Sequence, residues 1–116
     1  PCLVTTTALY PGDPDDLFRQ AIDFTDMLEA MSGVAAYKGL PSEPVREGAT
    51  YTTDVTFFGF LKTSGHVIEI EKLDLANRTL QSREYNPAIR QWDHLLTVEP
   101  ETGTGPARAR WTDAVT

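Results

Sequence analysis

His94 and Asp113 are the residues whose types and spacing best suggest proton chemistry. They fall in the closing stretch RQWDHLLTVEPETGTGPARARWTDAVT, which reads as two strands joined by a turn. With ETGTG as the turn, antiparallel pairing sets Val98 opposite Ala107, Leu96 opposite Ala109, His94 opposite Trp111 and Trp92 opposite Asp113. Alternation places all of these, with Val115, on one face. His94 and Asp113 then become diagonal neighbours. An imidazole oriented by a carboxylate is a general-base arrangement, so the pair is the candidate catalytic group. The same placement also suits a structural role, with Asp113 accepting an indole N–H and His94 packing on a ring. A slip of one residue would invert the faces.

His66 leads the run HVIEIE and, with His94, exhausts the histidines. Glu69 or Glu71 could join them as metal ligands only on paper. No His-x-His or His-Glu-x-x-His spacing is present, so no metal is expected. Glu69 and Glu71 share the face opposite Ile68 and Ile70, which reads as solvated. The chain lacks a Gly-x-Ser-x-Gly elbow, a Gly-x-Gly-x-x-Gly loop and a P-loop, and no cofactor is expected. Cys2 is the lone cysteine. It allows no internal disulfide and no cysteine-rich zinc site, and without an electropositive neighbour it reads as inert. Tyr51, Val55 and Phe57 share one face of a long strand, where they either pack in the core or line a pocket.

The elements that must position these residues can be read from pattern. CLVTTTAL is β-branched and alternating, an opening strand. Asp13 caps a short helix with Pro14 at its first position and Asp15 and Asp16 in its first turn. A second short helix starts near Thr25, carries Met27, Leu28 and Met31 as apolar positions and ends toward Gly33. YKGLPSEPVREG reads as a loop. ATYTTDVTFFGFL is a long strand with a bend at Gly59, KTSG a turn, HVIEIEKL a strand, and TLQSREY a polar edge strand before the Asn86-Pro87 break. The fold class expected is therefore α+β: a curved antiparallel sheet of about six strands, with two short helices after the first.

At 116 residues the chain is expected to be a single domain. Ten basic residues against seventeen acidic ones give a formal charge of −7. That excess argues against nucleic acid and anionic membrane surfaces as partners. No apolar run reaches membrane-span length and no signal-peptide pattern is visible, so a cytoplasmic location without membrane insertion is the default expectation.

This layout resembles the helix-grip superfamily (START-like, SRPBCC), which includes START domains, polyketide cyclase/dehydrase-like proteins and birch-pollen-allergen-like carriers. The resemblance rests on the order of elements and on the texture of GLPSEPVREGATYTTDVTFFGF and WDHLLTVEPETGTGPARARWTD. It implies a bent sheet gripping a long C-terminal helix, with an apolar cavity between them that takes lipids, polyketides or steroids. Only some members catalyse a reaction. The expected final helix is missing from residues 1–116, which read as a single helix-grip-like domain lacking its last element. A longer polypeptide or another chain would then supply the cover.

Three functional expectations follow. The first is a binding module holding a small apolar or aromatic molecule against the concave sheet, with Tyr51, Val55, Phe57, Trp92, His94, Trp111 and Asp113 as the contact residues. The second is an aromatase/cyclase-type enzyme using His94 with Asp113 for proton transfer. The third is a structural or partner-binding domain, in which a second protomer of a homo-oligomer covers the concave face.

Overall fold

A single antiparallel sheet of seven strands makes up most of the chain, with two short helices inserted after the first strand. The structure is a computed structural model and describes residues 3–87, 89–103 and 105–116. Cys2, and Thr104 of the expected ETGTG turn, lie outside the described residues. The elements are β1 (Val4–Pro11), α1 (Pro14–Ala21), α2 (Phe24–Ala30), β2 (Ala35–Lys38), β3 (Thr50–Phe57), β4 (Leu61–Asp74), β5 (Thr79–Asn86), β6 (Ile89–Pro100) and β7 (Arg108–Val115). Their order in the sheet is β1-β7-β6-β5-β4-β3-β2. The strands from β2 to β7 form a meander, and β1 returns to close its far side against β7. Among the described residues no helix follows β7.

The helices begin as their sequences dictate. Asp13 caps α1 by accepting the Asp15 N–H at 2.8 Å, and Asp23 caps α2 by accepting that of Thr25 at 2.8 Å. Each cap satisfies one N–H that a helix start leaves unpaired. Val45 N–H donates to Ile22 O at 2.8 Å and Phe24 N–H to Glu43 O at 3.1 Å. These bonds tie the long loop to the helix junction and drive Val45 into the core. Phe18, Ile22 and Phe24 pack there against Val45, Tyr51, Ile70, Leu96, Val98 and Ala109.

Strand β3 alternates cleanly, with Tyr51, Thr53 and Val55 buried between exposed Thr50, Thr52 and Asp54. The buried Thr53 hydroxyl donates to Lys38 O at 3.0 Å, which removes the cost of an unpaired polar group. Register shifts interrupt the β3–β4, β4–β5 and β5–β6 ladders. Each inserted residue bends its strand, and together they curl the sheet.

Several sequence expectations need correction. Ala35–Lys38 is a seventh strand rather than the approach to a loop. The β3–β4 turn falls at Phe58-Gly59, not at KTSG. Phe58 (φ 53°) and Gly59 (φ 80°) both adopt positive φ, and Phe60 N–H donates to Phe57 O at 3.1 Å. Two successive positive φ values of this kind belong to a type I′ turn, whose twist matches paired strands, and residues 58–60 form the connection between Phe57 and its partner Leu61. Ser64-Gly65 instead forms a bulge inside β4, where Gly65 (φ 68°) donates its N–H to Asp54 Oδ1 at 3.0 Å. Strand β5, expected at an edge because it is polar, lies at the middle of the sheet, and Ser82 within it is buried.

The closing hairpin also differs in register. His94 stands opposite Val115, Leu96 opposite Asp113, Val98 opposite Trp111 and Pro100 opposite Ala109. The pairing is displaced by four residues because the connection is longer than ETGTG, and Ala107 falls in it, exposed. An even displacement preserves the faces. Leu96, Val98 and Ala109 are accordingly buried together.

Candidate functional site

A cavity of about 350 Å³ lies between the helices and the inner face of β3, β4 and β5. Ile22, Phe24 and Met27 form its helical wall, and Val45, Val55, Ile68, Ile70 and Leu80 line it from the loop and the sheet. The polar lining includes Asp23, Tyr37, His66, Ser82, Glu84 and Asn86, with Trp92 beside them. The alternation of β4 and β5 explains this composition. Residues 66, 68 and 70 of β4 point the same way, as do residues 80, 82, 84 and 86 of β5. An apolar patch and a polar patch therefore follow one another along the same face.

The polar patch is a chain of side-chain contacts across three strands and into β7. Asn86 Nδ2 donates to His66 Nδ1 at 2.9 Å, and His66 Nε2 donates to Glu84 Oε1 at 2.8 Å. The other Glu84 oxygen lies 3.0 Å from His94 Nε2. That buried nitrogen finds no well-directed hydrogen bond among the described residues. His94 Nδ1 lies 3.3 Å from both oxygens of Asp113. Burial, and then the Glu84 charge, push the Tyr37 phenol above its usual value, so Tyr37 remains a neutral hydroxyl at physiological pH.

The candidate residues divide between this cavity and its surroundings. Val55, Phe57 and Trp92 line it, with Trp92 44% exposed. Tyr51 lies behind the lining, edge-on to Phe24 at 4.8 Å, and its hydroxyl accepts the Arg46 N–H at 3.2 Å. His94, Trp111 and Asp113 are on the same side of the sheet but outside the lining. Trp111 makes an edge contact with Tyr10 at 6.2 Å. His66 takes Glu84 as its partner because Glu69 and Glu71 point to the opposite face, where Glu69 accepts the Tyr85 hydroxyl at 2.9 Å. Among the described residues no three His, Cys, Asp or Glu side chains are placed to hold a metal ion. Among the described residues no helix is long and apolar enough to cross a membrane.

Glu84, Ser82, Asn86 and Tyr37 were not foreseen as site residues. The alternation of TLQSREYN could have disclosed the first three, had β5 been placed centrally.

The chain has the fold of the helix-grip, START-like superfamily (SRPBCC). Protein CV1439 of Chromobacterium violaceum superposes with a TM-score of 0.71 at 14% identity, over 99% of this chain and 80% of that one. Protein jhp0584 of Helicobacter pylori gives 0.65 at 18% identity, over 99% and 68%. Ara h 8.0201 gives 0.60 at 13% identity, over 98% and 77%. At such identities the likeness is one of fold. No family model matches the sequence, and no curated protein matches it significantly.

Proposed function

We propose that this domain binds a small apolar or aromatic molecule in the cavity between the helices and the curled sheet. The observation that carries the reading is the cavity itself, whose volume falls within the range of small-molecule sites. Its walls are mostly aliphatic and aromatic, with a few polar groups gathered on one part of the lining. Affinity would come from apolar area removed from water, at roughly 25 cal/mol per Å². The fold supports the same reading, since a curled sheet with helices on its inner face leaves room that side chains of this size do not fill. Val55, Phe57 and Trp92 are the contact residues retained from the sequence, joined by Ile68, Ile70 and Leu80. A proton-transfer role for His94 with Asp113 is not proposed, because neither residue lines the cavity.

Trp92 provides the test. Titration with neutral probes (naphthalene, naphthol, decanol) is expected to give a saturable change in tryptophan emission that Trp92→Phe removes, with binding confirmed by calorimetry. If none of the probes binds by either method, the reading is wrong.

A further inference from the structure

We infer that the cavity selects a ligand with a cationic, hydrogen-bond-donating head, an aliphatic amine, on an apolar body. This inference rests on the binding reading above and names the ligand class for the same cavity. Its ground is the distribution of charge. Asp23 and Glu84 are the carboxylates of the described lining, which contains no lysine or arginine. His66 is the one imidazole of that lining, against two carboxylates, and it is already engaged. Asn86 Nδ2 donates to its Nδ1, which leaves the Nε2 proton to be donated to Glu84. Even with both imidazoles protonated, Asp23, Glu84 and Asp113 would outnumber them.

Glu84 also retains acceptor capacity. A carboxylate offers about four lone-pair sites. Here His66 takes one, and His94 Nε2 approaches Oε2 without a well-directed bond. The Tyr37 hydroxyl lines the same cavity, and its upward shift in part records the Glu84 charge reaching that position. An ammonium head carries three N–H donors, which suits a carboxylate and a phenol oxygen together. Ile68, Ile70 and Leu80 continue the same face as an apolar seat for the rest of the molecule. A carboxylate head in this place would meet Glu84 with no lysine or arginine in the lining to accept it, and the chain's overall charge of −7 opposes its approach.

Three probes with one apolar body test the inference: naphthylethylamine, naphthylethanol and naphthylacetate, titrated by calorimetry into the unmodified chain at neutral pH and low salt. The amine is expected to bind at least about tenfold more tightly than the alcohol, as charge-assisted hydrogen bonds allow, and the carboxylate most weakly. Glu84→Gln is expected to weaken the amine at least about tenfold more than it weakens the alcohol, so that the preference for the amine is lost. Equal affinities for the three probes, or a preference for the carboxylate, would overturn the head-group inference and leave the binding reading standing. Failure of all three to bind would remove both. The comparison on the unmodified chain decides the matter even if Glu84→Gln does not fold.

Discussion

His94 Nδ1 lies 3.3 Å from each carboxylate oxygen of Asp113, yet the two residues are not paired across the sheet. His94 stands opposite Val115 and Asp113 opposite Leu96, so the contact runs diagonally between β6 and β7. Both side chains retain some solvent, at 23% and 27% exposure, which screens the attraction. Asp113→Asn should therefore cost less than about 1 kcal/mol in urea unfolding. It should also leave probe affinity unchanged, because Asp113 does not line the cavity. A loss of affinity in this variant would show that the site extends beyond the cavity onto β7.

The core makes a stronger demand at Phe18, which is 1% exposed and fixes α1 to the sheet. Phe18→Ala removes a large buried side chain and leaves a void that its neighbours fill only in part. The expected cost is about 3–5 kcal/mol. Since domains of this kind are stable by about 5–15 kcal/mol, the variant should sit near the edge of folding. Its urea midpoint should fall sharply with little change in slope.

The parts of the fold legible in the sequence are those set by local chemistry. Asp13-Pro14 announces a helix start through a cap and a fixed φ, and the alternation of TYTTDVTF reveals which side of β3 is buried. The His94–Asp113 contact was legible for a geometric reason. A register displaced by four residues moves His94 from one diagonal of Asp113 to the other without changing its face. What escaped was non-local. TLQSREY carries the polar signature of an edge strand, but its polarity serves the inner cavity through Ser82 and Glu84 and an ion-pair network on the outer face through Arg83. Nothing local states that β4 and β6 lie on either side of it. Glu84 could not be assigned to His66 and His94 until that adjacency was known.

The network on the outer face predicts the response to acid. Arg83 Nε donates to Asp93 Oδ1 at 2.8 Å, and Gln91 Nε2 donates to Asp93 Oδ2 at 2.9 Å. The Arg83 bond is the chief cause that holds the Asp93 carboxyl below its ordinary value of 3.8. A carboxyl depressed by folding contributes stability that is complete above its unfolded pKa and is lost as pH falls through its folded one. Asp93 therefore contributes fully at neutral pH, and its contribution drains away below about pH 4. In urea titrations between neutral pH and pH 3, Asp93→Asn should be less stable than the parent at neutral pH, and the gap should narrow on acidification. A constant gap would show that Asp93 acts through packing rather than ionisation.

The β3–β4 turn offers a stabilising substitution. Phe58 holds a left-handed conformation (φ 53°) that ordinary L-residues adopt at a cost, and its side chain is 63% exposed, so little apolar burial offsets that cost. Asn-Gly is the preferred pair for a type I′ hairpin. Phe58→Asn should keep the Phe58 backbone bond to Val34 O and raise stability by about 0.5–1 kcal/mol. A lower urea midpoint would mean that the exposed ring contributes more than its backbone strain costs.

Ser82 allows the cavity to be tested through stability as well as binding. It is 5% exposed, faces the cavity from the middle of the sheet and stands opposite Ile70 in the β4–β5 ladder. A leucine at this position would extend into the empty volume and contact Ile68 and Leu80, removing additional apolar surface from water. If the cavity exists to hold a ligand, Ser82→Leu should abolish probe binding while leaving the unliganded chain as stable as the parent or more so. The reason is that a site kept open for a ligand forgoes packing that a closed core would have. Urea unfolding and calorimetry on the same preparation separate the outcomes. Lost binding with stability retained assigns the cavity to ligand, whereas lost stability would mean that the space is already filled by its own walls.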